Sequence, residues 1–192
     1  IKSLRQQLTM AFAGFSVEPK PENPAWVAAP KYRFSEKLVS NWEQIQAEVV
    51  AAKSANLFAP GSDLSSEQVL LLVRSGESIL RPEAVPVLWG IVSKYPELLN
   101  YGHGMVKVVQ LPPGTVCPLP EKHIGSRLRT RHVFCLSEPG DVATNYLQVN
   151  GERRAFPNKD ILSFDPNYEH SIQTENGLLA VIFDSVPLHL VQ

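Results

Sequence analysis

The feature that most limits what this chain can fold into is a change of rhythm near residue 100. Beyond it, the sequence breaks into short runs rich in Val, Ile, Leu and Phe: MVKVVQL, SRLRTRHVFCL, NYLQVNG, DILSFD and LLAVIFDSV, separated by PPG, EPGD, NGE and ENG. Runs of this length bounded by Gly, Pro, Asn and Asp are strand signals, and their spacing suits an antiparallel barrel or sandwich. Ahead of them the period is helical. Leu38, Val39, Trp42, Ile45, Val49 and Val50 place one helix over Ser35–Ser54, with Ser35 as its cap, and Val85, Leu88, Ile91 and Val92 form the inner face of a second, from about Pro82 to Tyr95. The segment PKPENPAWVAAPKYRF holds too much proline for regular structure and reads as an extended arm, with Trp26 and Tyr32 packing on the core. Helices followed by strands, without βαβ alternation, predict an α+β fold of one domain: a helical buttress and arm over residues 1–100, and a β-sandwich over 101–192.

A chain of 192 residues can bury a core without disulfide or metal staples. Hydrophobic residues make up 44% and the net charge is −1, so there is no electrostatic footprint for nucleic acid or an anionic membrane. Cys117 and Cys135 form no CxxC pair and no zinc spacing, which points to a reducing compartment. No run of 18 apolar residues occurs, and IKSLRQQLTMAFAG lacks a signal-peptide layout, so the expected location is the cytoplasm.

Chemistry-bearing residues concentrate in two places. Arg127, Arg129 and Arg131 alternate along one predicted strand and share a face, suited either to a small anionic group such as a carboxylate or to a solvated edge. His132 lies on that strand too, but alternation turns it to the opposite face. Of the five histidines, His103 in a Gly-His-Gly loop and His189 near the C-terminus read as surface residues. His123 and His170 sit at strand ends, where sandwich folds hold ligands. Two imidazoles suit a ferrous centre with open positions, and two loop histidines would look the same in sequence.

The order of motifs adds weight to the ferrous reading. Asn41-Trp42 on a helix is followed by Pro113-Gly114-Thr115 after a strand, His123-Ile124-Gly125, an arginine strand, and Phe164-Asp165 through Glu169-His170. This order resembles the aspartyl/asparaginyl β-hydroxylase family, from Trp26 to the C-terminus, and Phe-Asp-x-x-x-Glu-His is its most specific element. The resemblance implies a double-stranded β-helix (jelly-roll, cupin-like) fold, Fe(II) held by His123 and His170, and 2-oxoglutarate as co-substrate. Gly125 stands where other iron oxygenases carry a carboxylate, and this family manages with two histidines. Arg131 falls at a co-substrate arginine position, and Arg129 lies two residues before it on the same face.

Three other co-substrate positions depart from the family pattern. Ala180 replaces an arginine that would hold the distal carboxylate, Val109 a serine and Val133 a histidine. Three functions therefore compete. One is an Fe(II)-dependent oxygenase hydroxylating a small molecule or a peptide side chain, with Arg131 orienting an acid group. Another is a diverged enzyme that isomerises or cyclises a small hydrophobic metabolite without 2-oxoglutarate, using Arg131 or Glu121 as polar handles; Glu121 and Glu169 are its candidate acid or base. The third is a non-catalytic binding module. Asp165 is expected to bond backbone amides in the turn ahead of His170.

Overall fold

The computed structural model describes residues 25–27, 32–61, 67–74, 77–78, 82–99, 105–118, 129–137 and 144–186. Helices α1 (Arg33–Ser40) and α2 (Trp42–Ser54) come first, then strands β1 (Ala59–Pro60), β2 (Gln68–Arg74) and β3 (Glu77–Ser78), and then helices α3 (Pro86–Val92) and α4 (Pro96–Leu99). Strands β4 (Met105–Leu111), β5 (Thr115–Pro118), β6 (Thr130–Cys135), β7 (Asn145–Val149), β8 (Glu152–Ala155), β9 (Ile161–Phe164), β10 (His170–Thr174) and β11 (Leu178–Ser185) complete the fold.

The last eight strands fold as one long hairpin wound on itself. Strand β4 pairs with β11, β5 with β10, β6 with β9 and β7 with β8, all antiparallel. The tip is Asn150-Gly151, with φ of 49° and 81°, the pair of left-handed residues that a tight β-hairpin needs. Winding brings β11 beside β6 and β10 beside β7, giving sheets in the orders β1-β2-β4-β11-β6-β9 and β5-β10-β7-β8. This is a double-stranded β-helix of the jelly-roll, cupin type, as the motifs implied.

Alternation along the strands divides the apolar residues into two cores. Val106, Val108, Phe134, Val181 and Phe183 face outward from the larger sheet and bury against Phe34, Leu38, Trp42, Ile45, Val49, Leu88 and Val92 of the helices. Val109, Leu111, Val133, Cys135, Ala180 and Ile182 face inward and meet Leu147, Val149 and Ile172 of the smaller sheet. The helices are the buttress expected of them. Glu48 on α2 accepts the Val87 and Leu88 N–H groups at 2.8 and 2.7 Å, satisfying donors at the start of α3. The Trp42 Nε1–H donates to the Cys135 carbonyl at 2.8 Å and fixes α2 to β6.

Three expectations are corrected. The helix read as Ser35–Ser54 is two helices broken at Asn41, which has φ −110° and ψ 16°; Tyr32, not Ser35, is the N-cap of the first, without a side-chain bond. The part of the chain read as helical contains β2, whose QVLLLVR run extends the larger sheet beside β4. Strands β5, β8 and β10 were absent from the expected set. Of the arm, residues 25–27 are described: Trp26 bridges Phe164 and is buried, so the segment adds a short edge beyond β9.

Candidate functional site

The inner face of β6 and β11 carries a buried charge cluster at one end of the sandwich. Register pairs Arg131 with Asp184 on β11 and with Phe164 on β9. The Asp184 carboxylate accepts from Arg131 Nε at 2.8 Å and Nη2 at 3.1 Å, and from Arg129 Nη1 at 2.6 Å. All three residues are buried, Asp184 completely. Burial alone would raise the Asp184 carboxyl, but the Arg131 and Arg129 guanidiniums hold it below its ordinary value, so it is an anion clamped by two cations. Arg129 and Arg131 thus share one buried site, as alternation predicted, and are not a solvated edge.

Asp184 was not among the sequence candidates. Its signal was a lone acid in the apolar run LLAVIFDSV, in phase with Ala180 and Ile182. An acid on the buried face of a strand calls for a cation opposite, and Arg131 is the residue that antiparallel pairing supplies.

His170 opens β10 beside this cluster and is buried. The turn before it is built by Asp165, whose Oδ1 accepts the Asn167 N–H at 2.9 Å and its Nδ2 at 2.7 Å, as expected of the Phe-Asp motif. The ring lies 4.9 Å from that of Phe164. Its Nδ1 is 2.6 Å from the Tyr168 carbonyl, which can only accept, so Nδ1 carries the proton and Nε2 is the ring nitrogen on the side of the charge cluster. The Arg131 Nη1 approaches that Nε2 at 3.5 Å. A histidine whose far nitrogen is pinned to a backbone carbonyl is the form in which imidazole binds metals.

His132 is turned away, as alternation required. It is completely buried on the helix side, with Nδ1 and Nε2 each 2.8 Å from a hydroxyl, of Ser163 and Ser185 respectively. It stacks on Phe183 at 4.9 Å and meets the edges of Tyr32 and Phe34. Burial pushes its pKa down to about 3, partly opposed by Asp184, so it is a neutral core residue.

Val109, Val133 and Ala180 lie on the inner face and are buried. Register sets Ala180 between Val109 of β4 and Cys135 of β6, and Ile182 beside Val133. The interior beyond the charge cluster is therefore apolar at the three positions that were expected to bear on an acid. Glu169 is exposed. Glu121, His123, Arg127, His103 and His189 lie outside the described residues, and among the described residues no three His, Cys, Asp or Glu gather as a metal site. No helix among them is long and apolar enough to cross a membrane.

The sequence matches the family model of aspartyl/asparaginyl beta-hydroxylase over residues 39–179. The chain belongs to the aspartyl/asparaginyl β-hydroxylase family. No curated protein matches it. Among solved structures, a prolyl hydroxylase in complex with a hypoxia inducible factor oxygen degradation domain peptide fragment, from Trichoplax adhaerens, is 13% identical, with a TM-score of 0.52 over 80% of this chain and 89% of that one. At that identity the likeness is one of fold. A salicylate 1,2-dioxygenase from Pseudaminobacter salicylatoxidans matches at 12% identity and TM-score 0.39, over 74% of this chain and 32% of that one. A cupin_2 domain of an XRE family transcriptional regulator from Enterobacter cloacae matches at 15% and 0.36, over 43% and 81%. Membership of the aspartyl/asparaginyl β-hydroxylase family identifies the chain as hydroxylase-like in type.

Proposed function

We propose that the chain is an Fe(II)-dependent oxygenase that hydroxylates a small molecule or a peptide side chain, at the end of the sandwich where β6, β10 and β11 bring Arg131, His170 and Asp184 together. The observation that carries this reading is the placement of His170: buried, at the start of β10, with Nδ1–H given to the Tyr168 carbonyl and Nε2 turned toward Arg131. That imidazole fits a ferrous ion, and His170 with His123 would hold it. Bound iron would supply dioxygen activation.

The remaining work falls to the chain's own groups. Asp184 holds both Arg129 and Arg131, and the Arg131 guanidinium lies beside the His170 imidazole. A fixed cation at that point favours substrates carrying a carboxylate or another anionic group. Phe164 packs against the His170 ring and keeps water from that side.

The apolar side chains of Val109, Val133 and Ala180 do not fit the distal carboxylate of 2-oxoglutarate in the family's usual manner. An unpaired carboxylate among them would cost several kcal/mol. Those same residues favour a second reading, a 2-oxoglutarate-independent isomerase or cyclase acting on a hydrophobic metabolite in the same interior.

Thermal denaturation with and without Mn(II) separates the readings. The oxygenase reading expects Mn(II) to raise the melting temperature of the wild type through binding to the native state, and His170→Ala to abolish the rise. A wild type indifferent to Mn(II) would sink the metal assignment and leave the non-metal reading.

A further inference from the structure

His132 is completely buried on the helix side of β6 and takes no part in the chemistry proposed above. Its ring nevertheless bonds to both neighbouring strands: Nδ1 is 2.8 Å from the Ser163 hydroxyl on β9, and Nε2 is 2.8 Å from the Ser185 hydroxyl on β11. A neutral imidazole carries one N–H and one lone pair, so one serine accepts from the ring and the other donates to it. Three adjacent strands are thereby joined by side chains in one row, Ser163–His132–Ser185. Aromatic rings pack around its centre: Phe183 stacks on the imidazole, and Tyr32 and Phe34 meet it edge-on.

Each member of that row has a chain neighbour on the opposite face, because Ser163 precedes Phe164, His132 follows Arg131 and Ser185 follows Asp184. Register sets Phe164, Arg131 and Asp184 side by side, so the two rows stand back to back across the sheet. Both lie where pairing ends. Arg131–Phe164 is the last pair between β6 and β9, Thr130–Ser185 is the last between β6 and β11, and beyond β9 the described residues supply only the short bridge to Trp26. Ladder ends open at far smaller free energies than the whole fold, and two buried side-chain bonds oppose that opening. A looser β9 would reach His170 by a short path: Asp165 follows Phe164, its carbonyl accepts the Tyr168 N–H at 3.3 Å, and the Tyr168 carbonyl holds the His170 ring. Phe164 itself packs on that ring.

We propose that His132 is the positioning residue of the candidate site: from the helix side it draws β9 and β11 onto β6, and so sets Phe164 and Asp184, through which His170 and Arg131 take their places. The Ser163 bond governs the His170 side, and the Ser185 bond governs the Arg131 side. His132 itself reaches neither the imidazole nor the guanidinium it positions, since it lies on the other face of the sheet. The role rests on the oxygenase reading only for what the held groups do; how they are held is a property of the metal-free chain.

NMR of the metal-free full chain, isotope-labelled at the histidine and arginine nitrogens, tests this through two signals that destabilisation elsewhere does not move. In the wild type the His170 ring, assigned by its loss in His170→Ala, is expected as the single Nδ1–H tautomer, and the Arg131 Nε–H, assigned by its loss in Arg131→Lys, as a slowly exchanging proton. Ser163→Ala should turn His170 into a mixture of tautomers, and Ser185→Ala should speed exchange of the Arg131 Nε–H by about tenfold or more. His132→Phe keeps a ring in the aromatic stack, removes both bonds and should produce both changes; where it does not fold, the serine variants decide. Trp42→Phe, which loses a bond at the other end of β6, should produce neither. An unmoved His170 ring in Ser163→Ala, an unmoved Arg131 exchange rate in Ser185→Ala, the same changes in Trp42→Phe, or a wild-type His170 that already mixes tautomers overturns the role. If both signals respond but Mn(II) leaves the wild-type melting temperature unaltered, the positioning stands and the iron reading falls; if Mn(II) raises it and the signals do not respond, the iron reading stands and the positioning falls.

Discussion

Acid should destabilise this fold in a manner traceable to one residue, His132. Its ring is completely buried and bonded by two serines, and its pKa is pushed from 6.5 down to about 3, first by burial and against the opposing pull of Asp184. The unfolded chain binds a proton at this residue below about pH 6.5, and the folded chain does not until near pH 3. Stability from neutral His132 is therefore complete above 6.5 and is lost as pH falls toward the folded value. The slope is about 1.4 kcal/mol per pH unit, so between pH 7.5 and 4.5 the loss is about 2.7 kcal/mol. Urea denaturation at a series of pH values measures it, with His132→Gln as the control that cannot titrate. The variant is less stable at pH 7.5, because its amide satisfies the two hydroxyls poorly, but its stability should fall by about 2.7 kcal/mol less over the same interval. Parallel acid slopes in wild type and variant would refute the reasoning, as would an NMR titration of the His132 ring with a midpoint near 6.5.

The charge cluster and the two buried tryptophans give further expectations. Asp184→Asn leaves two buried guanidiniums without their carboxylate, and urea denaturation should register a loss of about 3–5 kcal/mol. Because the Asp184 pKa is held below its ordinary 3.8, the stability from this carboxylate is present above that value and lost only at lower pH, outside the His132 interval. Trp42→Phe removes the bond to the Cys135 carbonyl and strands a buried acceptor, at about 1–3 kcal/mol. Trp26→Phe should cost less than Trp42→Phe in the same assay, since the Trp26 Nε1–H is buried with no acceptor among the described residues and no hydrogen bond is lost with it.

The parts of the fold legible in the sequence were those in which one face is buried and the other differs. Alternation placed Arg129 and Arg131 together and sent His132 to the opposite side, because β6 separates two different cores. Asn150-Gly151 announced its hairpin through the left-handed backbone it supplies. Strand β2 was hidden because QVLLLVR is nearly continuous in apolar residues, and such a run has no period with which to distinguish strand from buried helix. The break at Asn41 was hidden because the apolar positions on both sides keep one helical phase. In the site, the Phe-Asp-x-x-x-Glu-His motif revealed His170, but its ring state depends on the Tyr168 carbonyl, a backbone acceptor that no side-chain pattern records. Asp184 was overlooked because it ends an apolar run, and its importance emerges only when register sets Arg131 opposite. The apolar character of positions 109, 133 and 180 was legible from the start. Their common inward face required the pairing of β11 with β4 and β6.

The proposed oxygenase requires His170 to be a ligand of a ferrous ion with a position open to dioxygen. Nitric oxide occupies such a position and turns the ferrous centre into a species visible by electron paramagnetic resonance, so the anaerobic Fe(II)-loaded chain exposed to nitric oxide tests the claim directly. Ligation by His170 should give a half-integer-spin iron–nitrosyl signal in the wild type that disappears in His170→Ala. A wild type without that signal, or a His170→Ala variant that retains it in full, would exclude His170 as a ligand.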